Sequence, residues 1–247
     1  MIARLEKRHF LRRNPFERGW TDGLFYREKM RAIHRVAPAH LADGARILEI
    51  GGGRSGMAAL LYPHAHVTTL DIDPSLAPAK AANDERTEFV CGDARDVPFP
   101  QDTFDVVTLF DVLEHIEEDA AAAAEAMRVV RPGGWILVST PCADWRYPFY
   151  DLMRPVCPSE RSLMDEWGHV RRGYRPDQLT ALFGRAPDRR ASFINRLTAF
   201  YHDVAFSRLG PRKRSLLYAL AALPTAAGYA LHGEETRGTE MACAWQV

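Results

Sequence analysis

The sequence predicts an α/β fold with a doubly wound, mostly parallel sheet. Three observations carry that expectation. Apolar strand-like runs alternate with helical patterns from Arg46 to Thr140; a glycine cluster, Gly51 to Gly56, separates the first run from the first helix; and acidic residues recur just after successive runs, at Asp71, Asp93 and Asp111. Strands that alternate with helices pair in parallel, because each crossover helix returns the chain to the same edge. The carboxyl ends of such strands are where ligands bind.

In chain order, Asp22 to Val36 reads as a helix with Leu24, Phe25, Met30 and Ile33 on one face, Thr21 or Asp22 as its cap, and Pro38 beyond its end. Arg46 to Ile50 reads as a strand, Gly51 to Gly56 as a turn, and Met57 to Leu61 as the start of a helix. The alternation continues with strand His66 to Leu70, helix Leu76 to Ala82, strands Glu88 to Cys91 and Phe104 to Leu109, helix Glu118 to Val130 and strand Trp135 to Thr140. Ala120 to Ala124 favours the helix, and Pro132-Gly133-Gly134 is expected to stop it. Pro141 to Tyr174, rich in aromatics and prolines, is expected to act as a lid, since long loops in compact domains are often functional. Pro176 to Phe183 then reads as a helix with proline in its first turn, Arg190 to Ile194 as a strand, Leu197 to Leu231 as mainly helical, and Glu240 to Val247 as a closing strand.

Composition excludes several classes. The 47% hydrophobic and 26% charged residues are ordinary for a globular chain. Lys plus Arg and Asp plus Glu number 32 each, so no global field draws a polyanion and no nucleic-acid partner is expected. Cys91, Cys142, Cys157 and Cys243 form no C-x-x-C pair, which implies neither a zinc site nor a disulfide framework and suits a reducing cytoplasm. The basic N-terminus lacks the apolar region of a secretory signal. Leu216 to Leu231 is shorter than the roughly 20 residues of a spanning helix and contains Pro224, although the basic Arg212 to Arg214 beside it suits contact with a membrane surface. The residues do not reveal an oligomeric state.

The chemistry begins at Glu49-Ile50-Gly51-Gly52-Gly53-Arg54-Ser55-Gly56, where a strand enters a glycine turn. Glycine lets backbone approach a ligand closely and adopt positive φ. Gly51, Gly53 and Gly56, with Asp71 about 20 residues on, equally fit an NAD(P)-binding oxidoreductase. The order of ILEIGGGRSG, LDID, FVCGDARDVPF, FDVVTLFDVLEHI and RVVRPGGWILVSTP resembles the class I S-adenosylmethionine (SAM)-dependent methyltransferases, over roughly Gly44 to Pro141. It is most similar to the branch holding the quinone-biosynthesis methyltransferases and many natural-product and sugar methyltransferases.

That resemblance implies a Rossmann-like seven-stranded sheet with its last strand antiparallel, with SAM as methyl donor and S-adenosylhomocysteine (SAH) as product. It implies that Glu49, Gly51 and Gly53 wrap the methionine part, Asp71 holds the ribose, Asp93 and Ala94 meet the adenine, and Phe110 and Asp111 line the pocket. Chain length and the residue pattern suit one methyltransferase domain over residues 1–247, with an N-terminal helical extension (1–43), a cofactor-binding core (44–140), a lid insertion (141–175) and a helical insertion (197–232) that cap the acceptor. Carboxylates beside a glycine loop suit SAM, which carries an ammonium and a sulfonium but no phosphate.

A methyl cation equivalent needs a nucleophile aligned behind it, and a hydroxyl acceptor is helped by a base. Two histidines compete for that role. His115 belongs to the Glu-His pair after the fourth strand, and His169 lies in a segment similar to the histidine-bearing loop of quinone O-methyltransferases; either could instead brace its loop. Arg171, Tyr174, Trp145 and Tyr150 are candidates to contact the acceptor, with a solvated loop or core packing as the alternatives. No compact histidine–carboxylate set implies a metal. The expected function is methyl transfer to a small-molecule, glycan or lipid-linked acceptor at oxygen. The alternatives are N- or C-methylation, an NAD(P)-dependent oxidoreductase and a non-catalytic SAM-binding scaffold, because fold does not dictate function.

Overall fold

Residues 1–16, 19–53, 56–77, 86–234 and 236–247 are described by a computed structural model. Strand Ile2–Ala3 (β1) pairs antiparallel with His40–Leu41 (β2) and frames helices Lys7–Arg12 (α1) and Leu24–Val36 (α2). Met30 and Ile33 of α2 are fully buried, each contributing about 2 kcal/mol by leaving water. The cap of α2 is Gly23, not Thr21 or Asp22. The Asp22 carboxylate is engaged elsewhere, accepting the Tyr218 hydroxyl at 2.5 Å.

The expected alternation follows as Arg46–Ile50 (β3), Met57–Leu61 (α3), His66–Asp71 (β4), Thr87–Cys91 (β5), Phe104–Phe110 (β6), Asp119–Val129 (α4) and Val130–Pro141 (β7). The rest comprises Glu160–Trp167 (α5), Pro176–Leu182 (α6), Arg189–Phe193 (β8), Arg196–Ala205 (α7), Pro211–Leu220 (α8), Ala222–Leu231 (α9) and Glu240–Gln246 (β9). These strands form one seven-stranded sheet, ordered β5-β4-β3-β6-β7-β9-β8, in which β9 runs antiparallel between β7 and β8. Ile47, Leu48 and Ile50 are all buried because β3 is covered on both faces, as strands of parallel sheets are. Helices α1, α2 and α3 share one core with the sheet, and α4 and α6 share the other.

Three local expectations change. The helix expected over Leu76 to Ala82 lies largely outside the described residues, and the visible part is a 3-10 turn, Pro74–Leu76, capped by Asp73. Pro132-Gly133-Gly134 does not separate α4 from its strand: Val130 is already extended and pairs with Phe104, and residues 131–134 make the register shift before Trp135 pairs with Val106. The interruption expected from Pro224 in Leu216 to Leu231 is present but falls earlier: α8 ends at Leu220 and α9 starts at Ala222, with Pro224 in its first turn, where proline is tolerated. No helix among the described residues is long and apolar enough to cross a membrane.

The segments after β7 and β8 pack on each other over the carboxyl edge of the sheet. Asp203 of α7 accepts the Phe149 and Tyr150 amides at 2.9 and 2.8 Å, while Trp145, Tyr147, Leu163, Tyr201 and Val204 form a third apolar cluster with Leu24 of α2.

Candidate active site

At the carboxyl ends of β3, β4, β5 and β6 lies a cavity of about 680 Å³, with Gly51, Gly53, Asp71, Ile72, Asp93, Ala94, Asp111, Val112 and His115 on its wall. Gly51 has φ +64°, and a Cβ there would come within 2.5 Å of Val112 Cγ2. Its amide donates to Leu70 O at 2.7 Å, which ties the turn to β4. Gly53 has φ +51°, and a Cβ there would meet nothing within 4 Å, so the turn leaves a cradle open to the cavity. Its amide donates to Asp71 Oδ2 at 3.3 Å.

SAM fits these walls. Asp71 stands where two ribose hydroxyls can donate to it, and Ile72, 69% exposed, offers an apolar wall for a flat ring. Asp71, Asp93, Asp111, Glu117 and Glu118 face this cavity against the single guanidinium of Arg95 among the described residues. That balance suits a cationic sulfonium and ammonium and opposes a pyrophosphate.

Three of the cofactor positions differ from the sequence expectation. Glu49 is buried and turned off the cavity, its Oε1 accepting the Ala58 amide at 3.1 Å inside α3; burial pushes its carboxyl up to about 7. Phe110 packs into the core. Asp93 lines the cavity, but both its oxygens are engaged by Arg95, at 2.7 to 3.1 Å, which holds its carboxyl below the usual range.

A second cavity, of about 360 Å³, adjoins the first and shares Asp111 and His115 with it. Phe25, Tyr26, Trp145, Trp167 and Phe206 supply aromatic walls, and Lys29, Glu114, His169, His202 and Glu240 supply polar ones. Asp111 Oδ2 accepts from Lys29 Nζ at 2.5 Å and Oδ1 from Ser139 Oγ at 2.7 Å. Burial would raise the Asp111 carboxyl, but the Lys29 ammonium and these hydrogen bonds outweigh it and hold it low. Burial and the Asp111 charge push Glu240 up to about 8 and Glu114 well above the carboxylate range. Glu114 Oε2 accepts from Thr140 Oγ1 at 3.2 Å, whereas Oε1 has no partner among the described residues.

The two histidines proposed from sequence meet here. Their rings stand edge to face with centroids 4.6 Å apart, and His115 Nδ1 lies 3.2 Å from Gly168 O. Burial first, then His115, pushes His169 down to about 4, which leaves it neutral and a weak base. Folding thus collects Glu114, His115 and His169 into a ligand set that no sequence spacing announced.

Of the acceptor candidates, only Trp145 lines this cavity. The Tyr150 hydroxyl donates to Arg196 O at 2.6 Å. Arg171 donates to the carbonyls of Leu113, Ile116 and Glu117 at 2.6 to 3.0 Å, and the Tyr174 hydroxyl donates to Asp119 at 2.6 Å. Arg171 and Tyr174 therefore clamp the loop that carries Glu114 and His115 instead of facing the cavity. Sequence reasoning missed Lys29, Phe25, Tyr26 and Glu240. Lys29 did leave a signal, since Tyr26, Lys29, Met30 and Ile33 follow the i, i+3, i+4, i+7 spacing of a buried helical stripe.

His202, 7% exposed, is pushed down to about 4 by burial. Its imidazole is neutral when folded but protonates near 6.5 when unfolded. The associated stability is present above about 6.5 and is lost as pH falls through that value toward about 4. His202→Phe, whose ring suits the neighbouring Phe25, Tyr147 and Phe206, is expected to lose less Tm than wild type between about pH 7 and pH 4.5. Parallel Tm–pH curves for the two proteins would contradict this.

Comparison with known proteins agrees with the geometry. Residues 48–138 match the family described as a methyltransferase domain. The chain is 38% identical over 147 residues to a demethylmenaquinone methyltransferase of Clavibacter sepedonicus, covering 56% of this chain and 58% of that protein. It is 30% identical over 160 residues to a 2-methyl-6-phytyl-1,4-hydroquinone methyltransferase of a Synechocystis strain, covering 59% and 48%. The chain spans about half the length of the curated relatives it matches. In fold it is similar to a SAM-dependent methyltransferase of Mesorhizobium loti, with a TM-score of 0.59 at 18% identity over 92% of this chain and 99% of that one.

Proposed function

We propose, for a chain that belongs to the class I SAM-methyltransferase family, that it transfers a methyl group from SAM to a hydroxyl oxygen of a small, ring-bearing acceptor and releases SAH. The observation that carries this reading is the shared wall: a cavity suited to SAM meets an aromatic cavity at Asp111 and His115. Bound there, SAM supplies an electrophilic methyl group. The chain's own contribution is to place the acceptor in line with that methyl and to exclude water, through Trp145, Trp167 and Phe206 over the second cavity. His115 would take the proton of the acceptor hydroxyl, and His169, neutral and a weak base, would help to position that hydroxyl.

A second reading, ring-carbon methylation of a hydroquinone, draws support from the similarity to a demethylmenaquinone methyltransferase and a 2-methyl-6-phytyl-1,4-hydroquinone methyltransferase. Both readings begin with loss of a proton from a phenolic hydroxyl. Titration calorimetry with SAH and NADH tests the cofactor, since NADH binding without SAH binding would overturn methyl transfer. Turnover of catechol and hydroquinone acceptors, read as SAH release with product mass and NMR, then separates oxygen from carbon. His115→Ala and His169→Ala are each expected to lower turnover at least roughly 100-fold with SAH affinity nearly unchanged. Wild-type turnover in both would remove the histidines from the chemistry.

A lipid-linked acceptor would draw support from α8 and α9, where Leu216, Leu220, Leu223 and Leu231 are 60 to 86% exposed beside Arg212 and Lys213. An exposed apolar face flanked by cations suits an anionic lipid surface. The protein is expected to sediment with phosphatidylglycerol vesicles at low salt, and Leu220→Glu with Leu223→Glu to abolish this. No sedimentation of the wild type would exclude membrane docking.

A further inference from the structure

We propose that Glu114, His115 and His169 bind one divalent transition-metal ion of the zinc type at the wall of the second cavity. One carboxylate oxygen and one nitrogen from each imidazole lie within 4.8 Å of one another. In a tetrahedral zinc site with ligands near 2.0–2.1 Å, ligand atoms stand about 3.4 Å apart, so closure asks for shifts of about 1 Å, within reach of side-chain rotation. Two imidazoles with one carboxylate select zinc, cobalt or iron over magnesium, which prefers oxygen ligands.

Three further observations point to a ligand here. Glu114 is fully buried on the cavity wall, and its Oε1 has no hydrogen-bond partner among the described residues, which costs free energy unless something binds it. His169 Nδ1 is likewise buried without a partner among the described residues. His115 Nδ1 lies 3.2 Å from the Gly168 carbonyl, so that nitrogen carries the proton and Nε2 is left with its lone pair, the arrangement by which a second partner orients a ligating histidine.

Charge agrees with the ligand set. The cavity wall holds the carboxylates Asp111, Glu114 and Glu240 against one ammonium, Lys29, alongside His115, His169 and His202. With neutral imidazoles and all three carboxylates ionised, the excess is two negative charges, which one dication offsets; without a cation, burial and that crowding raise Glu114 and Glu240. Three protein ligands leave a fourth position, as catalytic sites do; an acceptor oxygen would bind there, and the ion, in place of the two histidines, would then promote loss of its proton. That last step rests on the methyl-transfer reading; cation binding does not.

The test uses the full chain after chelator treatment and dialysis, titrated with Co2+ and Zn2+. Co2+ should give visible absorption of a tetrahedral site saturating at one ion per chain, displaced by Zn2+. Glu114→Gln and His169→Asn should each weaken binding roughly 100-fold, while circular dichroism verifies folding. His64→Gln combined with His66→Gln, both away from the site, should leave it unchanged. No saturable binding, equal binding in Glu114→Gln and His169→Asn, or loss of binding in the His64/His66 variant would each overturn the proposal. SAH affinity measured on the same samples keeps the two readings apart: absent SAH binding sinks methyl transfer and leaves the cation site standing.

Discussion

Asp71→Ala is expected to weaken SAH binding about 100-fold, or about 2.7 kcal/mol, with little change in Tm. Asp71 ends β4, where its Oδ2 accepts the Gly53 amide at 3.3 Å and its Oδ1 the Asp73 amide at 3.1 Å. These bonds aim the carboxylate across the mouth of the glycine turn. A ribose offers two adjacent hydroxyls, and a hydrogen bond to a charged group contributes about 1.5–3 kcal/mol, so losing two of them after water compensates one side gives the stated magnitude. The fold should hold because Asp71 lies at the partly exposed end of its strand, outside both cores. Asp71→Asn keeps the shape and loses the charge, and should fall between the two. Calorimetry with SAH checks this, and an affinity within threefold of wild type would remove Asp71 from the ribose site.

The sheet was legible because strands covered on both faces must be short apolar runs, and Arg46–Ile50 and Phe104–Phe110 are such runs in the sequence. The early start of β7 was not, since Arg131 to Gly134 have no strand character and are carried by pairing at Phe104 and Val106. In the donor cavity, Gly51, Gly53 and Asp71 could be read from sequence because each lies at the end of a strand already visible there. Glu49 misled because a carboxylate before a glycine turn reads as a ligand group, while its depth in β3 turns it onto α3. Arg171 and Tyr174 misled for a related reason: polar loop residues look available for binding, yet carbonyls of the Leu113–Glu117 loop consume them. The second cavity was the least legible part, because Lys29, Asp111 and Glu240 are brought together only by tertiary packing across most of the chain length.

Lys29→Met is expected to cost about 3 kcal/mol of stability. Its ammonium meets Asp111 at 2.5 Å, with side chains 13% and 33% exposed. Breaking a fully buried pair by removing one partner costs about 3–5 kcal/mol, and the partial exposure of Asp111 places this case at the lower end. The methionine keeps an unbranched chain of similar length and gives up the ammonium, which also stands 5.8 Å from the Tyr26 ring centroid, so the loss reports charge more than volume. For a chain of this size about 3 kcal/mol lowers Tm by roughly 6–12 °C. The pH dependence has a definite sign. Without the ammonium, Glu114 and Glu240, already raised on folding, rise further, and Asp111 loses the cation that holds it low and rises as well. Groups raised on folding stabilise at low pH and lose that contribution as pH rises. The deficit of Lys29→Met relative to wild type should therefore be larger near about pH 8 than near about pH 5. Adding Asp111→Asn should recover part of it, and the double-mutant cycle gives the coupling. Melts run with chelator present prevent a cation from replacing the lost charge, and a Tm within about 2 °C of wild type at both pH values would show that Lys29 does not hold the carboxylates together.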